Sequence, residues 1–362
     1  MKKTGLLFLG LFFSNSLFAQ QISGKIVDTN TKKPIENAYV FVENTQIYTF
    51  SKTDGSYQID LKGSKNNIIF DYFGYDMYLL NNNGLDQKNT EITLNPTEEI
   101  LQELVINKSP FSRKEMMKAF KKYFLGTTSN GKSCKIKNEK DLILYFDAKT
   151  NTLYAESKEP LIVENKNLDY EVIFYMTDFQ ASFRARSLDF FNYVGSYFVG
   201  HASYKDINTK STHKNREKTY ENGTSKLFIA LAEDKLVDNK LTFYVNKFPI
   251  NEKEYFKTEK KSDGYTLHII KSPTKKVPKL PKKGEKLIIG LSEPKETEEV
   301  VTDFNIFNSS NKNQSIMQLN ADRIDIDKNG NLLNPNQVFF GGYYGNLKFG
   351  DMLPTDYKSD KK

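Results

Sequence analysis

The feature that most constrains this chain is a two-residue alternation of side-chain types in short segments of residues 22–61. Alternation with this period places every second side chain on the same face of a β-strand. The pair Asp54-Gly55 supplies a positive-φ turn for a tight hairpin, and Pro34 ends the preceding loop where no ladder donor is needed. With further strands at 68–72 and 90–94, the pattern predicts a β-sandwich of six or seven strands, each offering one face to a core.

Residues 1–19 have the composition of a secretory signal peptide. Lys2 and Lys3 precede an apolar stretch at 5–13, and Ala19 offers the small residue that signal peptidase requires. The stretch is short for a membrane span, which needs roughly 20 apolar residues. Gln20 stands where a lipid-anchored protein has a cysteine. We therefore expect an exported mature chain that begins at Gln20 without a lipid anchor.

The composition favours several packed cores without covalent cross-links. Aromatic residues make up 13% of the chain, which is enough to fill cores, and Cys134 has no second cysteine with which to pair. Because single cores stop growing near about 250 to 300 residues, we expect two or three folding units. We interpret Cys134 as a buried strand residue that shares a face with Ile136.

Four groups of residues near the N-terminus carry a specific resemblance. They are 24–28 (Gly-Lys-Ile-Val-Asp), 34–42, which begins Pro-Ile-Glu-Asn-Ala, 53–57 (Thr-Asp-Gly-Ser-Tyr) and 73–75 (Phe-Gly-Tyr). Together they resemble the carboxypeptidase regulatory-like domain, which we place at 20–96. The resemblance implies a transthyretin-like β-sandwich of the kind found in exported proteins of two-membrane bacteria, including TonB-dependent outer-membrane transporters. It implies no peptidase activity, because this domain is an appendage of carboxypeptidases.

After a linker at 97–111 the periodicity changes. Ser112 and Glu115 form a capping box, apolar residues then recur every four positions, and Gly126 can end the helix, so a helix is predicted over 113–125. A second helix is predicted over 224–233. The remaining segments alternate as antiparallel strands. We predict an α+β region at 112–270 and a β-rich C-terminal segment at 287–357, which together with the sandwich give a mainly β or α+β protein.

This larger region is similar to uncharacterised exported proteins that share the carboxypeptidase regulatory-like N-terminus. The similarity is carried by Arg216-Glu217 with Tyr220 and Gly223, by Leu227-Phe228 with Leu231, and by the ending 351–357 (Asp-Met-Leu-Pro-Thr-Asp-Tyr). No activity is assigned to those proteins, so the similarity extends the fold and implies no catalytic residue.

Residues 271–286 combine prolines with lysines. Prolines at this density oppose both helix and ladder pairing, so we predict an extended, solvated connector. A polyanion-binding strip is the alternative, formed by Lys275, Lys276, Lys279, Lys282 and Lys283. The net charge of +7 is modest for 362 residues. In an exported protein it favours an envelope component as the partner and does not indicate nucleic acid.

The chain lacks the common catalytic motifs. His201, His213 and His268 are its three histidines, and none begins an H-x-x-E or H-E-x-x-H motif. No G-x-S-x-G or P-loop occurs. His213 and Glu217 could share a metal on a helix, but a solvated charged face is the favoured interpretation. Glu156, Glu159, Glu164 and Asp169 are available as acids, although spacing does not bring them together.

Two further patterns have a binding and a structural interpretation. Residues 325–330 match the first half of a calcium loop, but Asn336 replaces the glutamate at the twelfth position, so a hairpin turn at Asn329-Gly330 is favoured. Residues 339–345 have two interpretations. As a binding feature they form an aromatic platform for sugar rings or for the surface of a partner, and as a structural feature they form a bulged strand whose rings fill a core. The aromatic residues concerned are Phe339, Phe340, Tyr343 and Tyr344.

These observations predict an exported, non-enzymatic envelope protein with a binding or scaffolding role. We expect it in the periplasm or at the outer membrane, with an envelope protein or glycan as partner and no cofactor. Two alternatives remain open. One is a hydrolase of peptide or glycan with an unrecognised site in the second region, and the other is a component or accessory of a TonB-dependent uptake system.

Overall fold

The chain forms two compact units, one comprising Met1–Glu43 and Ile47–Ile100 and the other Asn44–Gln46 and Leu101–Lys362. The structure, a computed structural model, describes residues 21–82, 88–97, 109–208, 213–278, 296–300 and 303–360. Strands dominate both units and most strand pairs are antiparallel, which confirms the predicted mainly β or α+β class. The predicted signal peptide, most of the linker and the first residues of the predicted C-terminal segment lie outside the described residues.

The first unit contains seven strands within its described residues. They are β1 (Gln21–Asp28), β2 (Tyr39–Val42), β3 (Tyr48–Phe50), β4 (Ser56–Asp60), β5 (Ile68–Asp71), β6 (Tyr78–Leu80) and β7 (Lys88–Leu94). One sheet has the order β4-β1-β7, and the other has the order β3-β2-β5-β6. Strand β7 runs parallel to β1, while the other pairs are antiparallel.

The two sheets share one apolar core, as predicted for a sandwich. Ile22, Ile26 and Ile59 from the first sheet pack in the same cluster as Val40 and Phe70 from the second. Two details differ from the predictions. Strand β6 was not expected, and β2 is buried along its whole length instead of offering one face.

The second unit begins with helices α1 (Arg113–Phe124) and α2 (Ser129–Ser133) and a six-stranded antiparallel sheet. The strands are β8 (Cys134–Ile136), β9 (Leu142–Asp147), β10 (Thr152–Ser157), β11 (Leu161–Asn165), β12 (Tyr170–Phe183) and β13 (Tyr193–Asp206). Five of them follow the order β8-β11-β12-β10-β9, and β13 pairs with β12 along the edge opposite to β10 and β11. Their inward side chains and α1 form one core.

Helix α1 confirms the predicted helix together with its capping box. The Ser112 side chain accepts a hydrogen bond from the Glu115 backbone N–H, and the Glu115 carboxylate accepts one from the Ser112 backbone. Phe120 and Phe124 lie on the buried face, and Gly126 follows with φ of 94°. Local sequence signals therefore specify this helix at both ends.

A second core follows after helices α3 (His213–Glu221) and α4 (Thr224–Ala232), the latter confirming the second predicted helix. A five-stranded sheet has the order β15-β14-β20-β21-β23, and a three-stranded sheet has the order β16-β17-β22. Their bounds are β14 (Leu241–Val245), β15 (Phe248–Pro249), β16 (Phe256–Lys260), β17 (Gly264–Ile269), β20 (Asp303–Asn308), β21 (Asn313–Leu319), β22 (Arg323–Asp327) and β23 (Val338–Gly341). A four-residue helix, α5 (Gly342–Gly345), follows β23.

The end of the chain returns from the second core to the first. Phe349 belongs to the first core and its ring lies 4.6 Å from that of Phe124. Asp351 accepts hydrogen bonds from the side chains of Thr128 and Asn130 at 2.8 and 3.0 Å. The C-terminal segment therefore links both cores of the second unit.

The expectation of an unpaired connector is wrong for the beginning of the Lys/Pro-rich segment. Strand β18 (Thr274–Pro278) pairs with β19 (Glu296–Val300) in antiparallel register, which places Lys275 opposite Glu299 and Lys276 opposite Glu298. Pro278 is the last residue of the strand and Pro273 precedes it, so neither proline stands at an interior position of the ladder.

Candidate functional site

A groove lies on the five-stranded sheet of the second unit. One face of this sheet is apolar and covers the second core, with Phe243, Phe304 and Met317 almost completely buried. The other face forms a groove of about 870 Å³. That volume is within the range of small-molecule sites, about 300 to 1,000 Å³.

Strand register explains which side chains meet in the groove. Tyr244, Asn305 and Ile316 are directly opposite one another on β14, β20 and β21. Phe307 and Gln314 form the next row. Because side chains alternate between the faces of a strand, the buried residues between them keep these five on the same side.

The groove combines aromatic rings, amides and very few charges. Tyr244 and Phe307 contribute aromatic rings, and Asn305 and Gln314 contribute amide groups that both donate and accept hydrogen bonds. The two charged lining residues, Lys247 and Asp303, lie at the end where β14 turns into β15 and β20 begins. Most of the groove is thus suited to an uncharged ligand that has both apolar faces and hydroxyl groups.

The two amides are free to bind a ligand. Neither the Asn305 nor the Gln314 side chain makes a hydrogen bond to another part of the chain that the structure describes, and both residues are exposed. Gly342, with φ of 65°, lines the groove where β23 gives way to α5. A Cβ atom at this position would lie 2.5 Å from the Gln314 carbonyl oxygen, so the glycine is needed for this close packing.

The predicted aromatic platform is divided between core and surface. Tyr344 is buried in the second core, and Phe340 and Tyr343 pack partly against it. Phe339 is 50% exposed and lies opposite Gln318 on the face that carries the groove. The segment is a strand followed by a helical turn at Gly342, and the bulged strand expected from the sequence is not what forms.

The predicted lysine strip is only partly described. The backbones of Lys275 and Lys276 lie in β18, whereas Lys279, Lys282 and Lys283 lie outside the described residues. The groove residues, in contrast, were not singled out by the sequence. Their signal is weak, because uncharged polar and aromatic residues on the outer positions of β20 and β21 also suit an ordinary exposed strand.

Three of the residues that carry the second resemblance, Glu217, Tyr220 and Tyr357, lie together in the structure. Glu217 on α3 is buried and accepts hydrogen bonds from the hydroxyls of Tyr357, at 3.0 Å, and Ser359. The ring of Tyr220 lies 5.9 Å from that of Tyr357. The expectation of a solvated charged face around Glu217 is therefore wrong, because the C-terminal segment covers it.

Arg216, next to Glu217, also makes contacts that hold helix α3 in place. Its guanidinium donates to the Leu168 carbonyl at 2.7 Å and to the Asp206 carboxylate at 2.6 Å. It also lies 3.7 Å from the centroid of the Tyr170 ring. Burial raises the pKa of Tyr220 to about 12, so this hydroxyl stays protonated at neutral pH. These contacts fasten α3 to the sheet and to the C-terminal segment.

The positions considered for metal binding are occupied by local interactions. His213 pairs with Asp360 at 3.0 Å, and His268 lies 3.0 Å from Glu259. Asp327, in the half calcium loop, accepts the backbone N–H groups of Asn329 and Asn331. The described residues contain no group of three or more histidine, cysteine, aspartate or glutamate side chains able to hold a metal ion.

The four acids considered for hydrolysis lie in different environments. Glu156 on β10 and Glu159 in the following turn are exposed. Glu164 on β11 lies 3.6 Å from the Lys137 ammonium. Asp169 is buried and accepts the backbone N–H of Asn208 at 3.0 Å.

Cys134 packs partly against the first core of the second unit. Its thiol lies 3.3 Å from the Asn130 carbonyl oxygen, and burial raises its pKa to about 12. The thiolate is therefore scarce at neutral pH, and this environment suits a structural residue.

In the first unit, the residues that carry the first resemblance hold turns together. The carboxylate of Asp28 accepts the Tyr75 hydroxyl at 2.6 Å and the backbone N–H groups of Asn30 and Thr31. These hydrogen bonds, led by that from Tyr75, lower the pKa of Asp28 to about 2. Gly55 adopts φ of 76° in the predicted turn. The motif residues Asp28, Gly55 and Tyr75 therefore have structural roles in the β-sandwich.

Comparison with known proteins supports the identification of the N-terminal β-sandwich. A family model described as the CarboxypepD_reg-like domain matches residues 22–106, in agreement with the resemblance found from the motifs. A comparison of the chain with curated proteins gives no match. None of the described helices has both the length and the apolar composition needed to cross a membrane.

Proposed function

We propose that this chain, which carries a CarboxypepD_reg-like β-sandwich over residues 22–106, is an exported cell-envelope protein that binds a partner without chemical conversion. The N-terminal sequence supports export, and the sandwich supports a binding or scaffolding role. In this proposal the protein resides in the periplasm or at the outer membrane, where envelope glycans are accessible.

The groove on the five-stranded sheet carries the choice of partner. Its rings and free amides fit a neutral glycan, because a sugar ring has apolar C–H faces that stack on aromatic rings and hydroxyls that pair with amides. We therefore propose a neutral envelope oligosaccharide as the ligand.

Binding can be tested by calorimetry with neutral oligosaccharides released from the producing cell's envelope. The double variant N305A/Q314A removes two exposed amides from the groove, and we expect it to weaken binding about tenfold or more, since each lost hydrogen bond is worth about 1 kcal/mol. Q318A is the matched control, because Gln318 is exposed on the same sheet face but does not line the groove. Equal affinity of all three proteins, or no binding by the parent, would refute the glycan assignment.

Location needs a separate measurement. Fractionation of cells that produce the full chain, with sequencing of the mature N-terminus, should find the protein outside the cytoplasm and starting at Gln20. A cytoplasmic chain that retains residues 1–19 would contradict the proposed export independently of any glycan result.

A further inference from the structure

The longest hairpin among the residues that the structure describes ends in an exposed apolar tip. Strands β12 and β13 are each 14 residues long, and residues 184–192 connect them. Phe190 and Phe191 are 63% and 89% exposed in this connection. Val194, at the start of β13, is 62% exposed and continues the apolar surface. Adjacent phenylalanines with this exposure have apolar area that a binding partner can cover.

The residues that flank the exposed rings are anchored to helix α1. Leu188 packs against the first core of the second unit, and its carbonyl accepts the Tyr123 hydroxyl at 3.1 Å. Tyr193 stacks on Tyr123 with the ring centroids 4.3 Å apart. Helix α1 therefore anchors the connection on both sides of Phe190 and Phe191.

The connection and helix α1 also carry basic side chains. Arg184 and Arg186 are exposed, and neither makes an ion pair within the described part of the chain. The Lys122 ammonium on α1 lies 5.1 Å from the centroid of the Phe190 ring. Asp189 is the one acid among residues 184–192, and its carboxylate accepts the Ser187 hydroxyl at 3.1 Å.

We propose that this tip inserts into the surface of an anionic phospholipid bilayer. The two phenyl rings would enter the boundary between headgroups and acyl chains, while Arg184, Arg186 and Lys122 contact lipid phosphates. Exposed aromatic side chains combined with unpaired cations are the combination that interfacial membrane binding uses. A water-soluble protein partner could account for the exposed phenyl rings. The excess of positive charge favours the lipid surface, because it is complementary to anionic headgroups.

The chain contains no tryptophan, which makes a sensitive test available. The variant F191W places a unique fluorophore at the tip. With vesicles of phosphatidylethanolamine and phosphatidylglycerol, we expect its emission to shift to shorter wavelength and to be quenched by brominated acyl chains. F248W is the matched control, because Phe248 is 72% exposed on β15, which belongs to the five-stranded sheet and not to the sheet of this hairpin. An unshifted F191W spectrum, or an equal shift for F248W, would overturn the proposal.

Co-sedimentation separates the apolar from the electrostatic contribution. We expect F190S/F191S to lower the vesicle partition coefficient about tenfold or more. R184Q/R186Q should lower it about tenfold on anionic vesicles and leave weak binding to phosphatidylcholine unchanged. Binding that survives in F190S/F191S would count against insertion. Self-association that disappears in F190S/F191S without vesicle binding would instead identify the tip as an interface between copies, and the lipid assignment would fail.

Discussion

The carboxylate of Asp28 joins three parts of the first unit through hydrogen bonds. It receives the hydroxyl of Tyr75 and the backbone N–H groups of the loop that follows β1. Its pKa is lowered to about 2 because these donors stabilise the charged form. Asp28 thus has a structural role in the first unit, because its hydrogen bonds join β1, the loop after it and Tyr75.

This environment predicts how stability should depend on pH. The depressed pKa means that the Asp28 contribution is fully present above the ordinary pKa of 3.8 and is lost as the pH falls through about 2. We expect D28N to unfold its first unit more easily than the parent at pH 7, and the difference should shrink between pH 4 and pH 2. Hydrogen exchange of peptides from residues 22–61 measures this stability difference at each pH.

D60N is the control for this experiment. Asp60 is exposed and accepts the nearby Lys62 backbone N–H, without the contacts to distant segments that Asp28 makes. A stability difference between D28N and the parent that stays constant from pH 7 to pH 2 would show that the charge of Asp28 is not the source of the effect.

At the scale of elements, turns and caps are specified locally, whereas the faces of strands are not. The turn before β4 needs Gly55 for two reasons, its φ of 76° and the lack of space for a side chain. A Cβ atom there would lie 2.6 Å from the Ile26 carbonyl oxygen and 2.9 Å from the Pro34 Cβ. The sequence pair Asp54-Gly55 therefore determines both the turn and the packing of β1 beside it.

Replacing this glycine should cost more than replacing one that has only the unusual φ. We expect G55A to lower the free energy of unfolding of the first unit by about 2 kcal/mol or more, because backbone strain and overlap add. G74A should cost about 1 kcal/mol, since Gly74 has φ of 81° but no atom within 4 Å of the added Cβ. Urea unfolding monitored by hydrogen exchange compares them, and equal costs would exclude the steric contribution.

On the scale of the whole molecule, packing has to stabilise the protein without a disulfide, because Cys134 is the single cysteine. The second unit contains two apolar cores, and the C-terminal segment contacts the first of them through Phe349. The hydrogen bonds of Asp351 and Tyr357 fasten this segment to α2 and α3. Long-range contacts therefore replace covalent cross-links.

A reducing agent should consequently leave the unfolding temperature of the full chain unchanged. Cys134 in the native chain should also react with iodoacetamide at pH 8 about a hundredfold more slowly than Cys134 in the urea-unfolded chain. The reason is that burial raises the pKa of its thiol to about 12. Mass spectrometry of timed samples measures the rate. Equally fast modification of native and unfolded chains would contradict the packed environment of this thiol.

Much of the architecture could be predicted because it depends on neighbours in the sequence. The capping box of Ser112 and Glu115, the turn at Gly55 and the alternation along β1 each involve residues a few positions apart. The motif of the sandwich joins such local signals, so the domain could be identified from residues 24–75. Strand β2 was misjudged because alternation describes only the side chains and does not report how many sides of a strand are covered.

The candidate site depended on contacts that no local pattern records. Tyr244, Asn305 and Gln314 come from strands up to 70 residues apart and meet only through the register of β14, β20 and β21. The same holds for Glu217, which looked solvated until Tyr357 covered it. The sequence alone determined where helices and turns begin, since those choices depend on short-range sterics and hydrogen bonds. The tertiary structure decided which distant side chains share a surface, because strand pairing sets that and many pairings satisfy the same alternation.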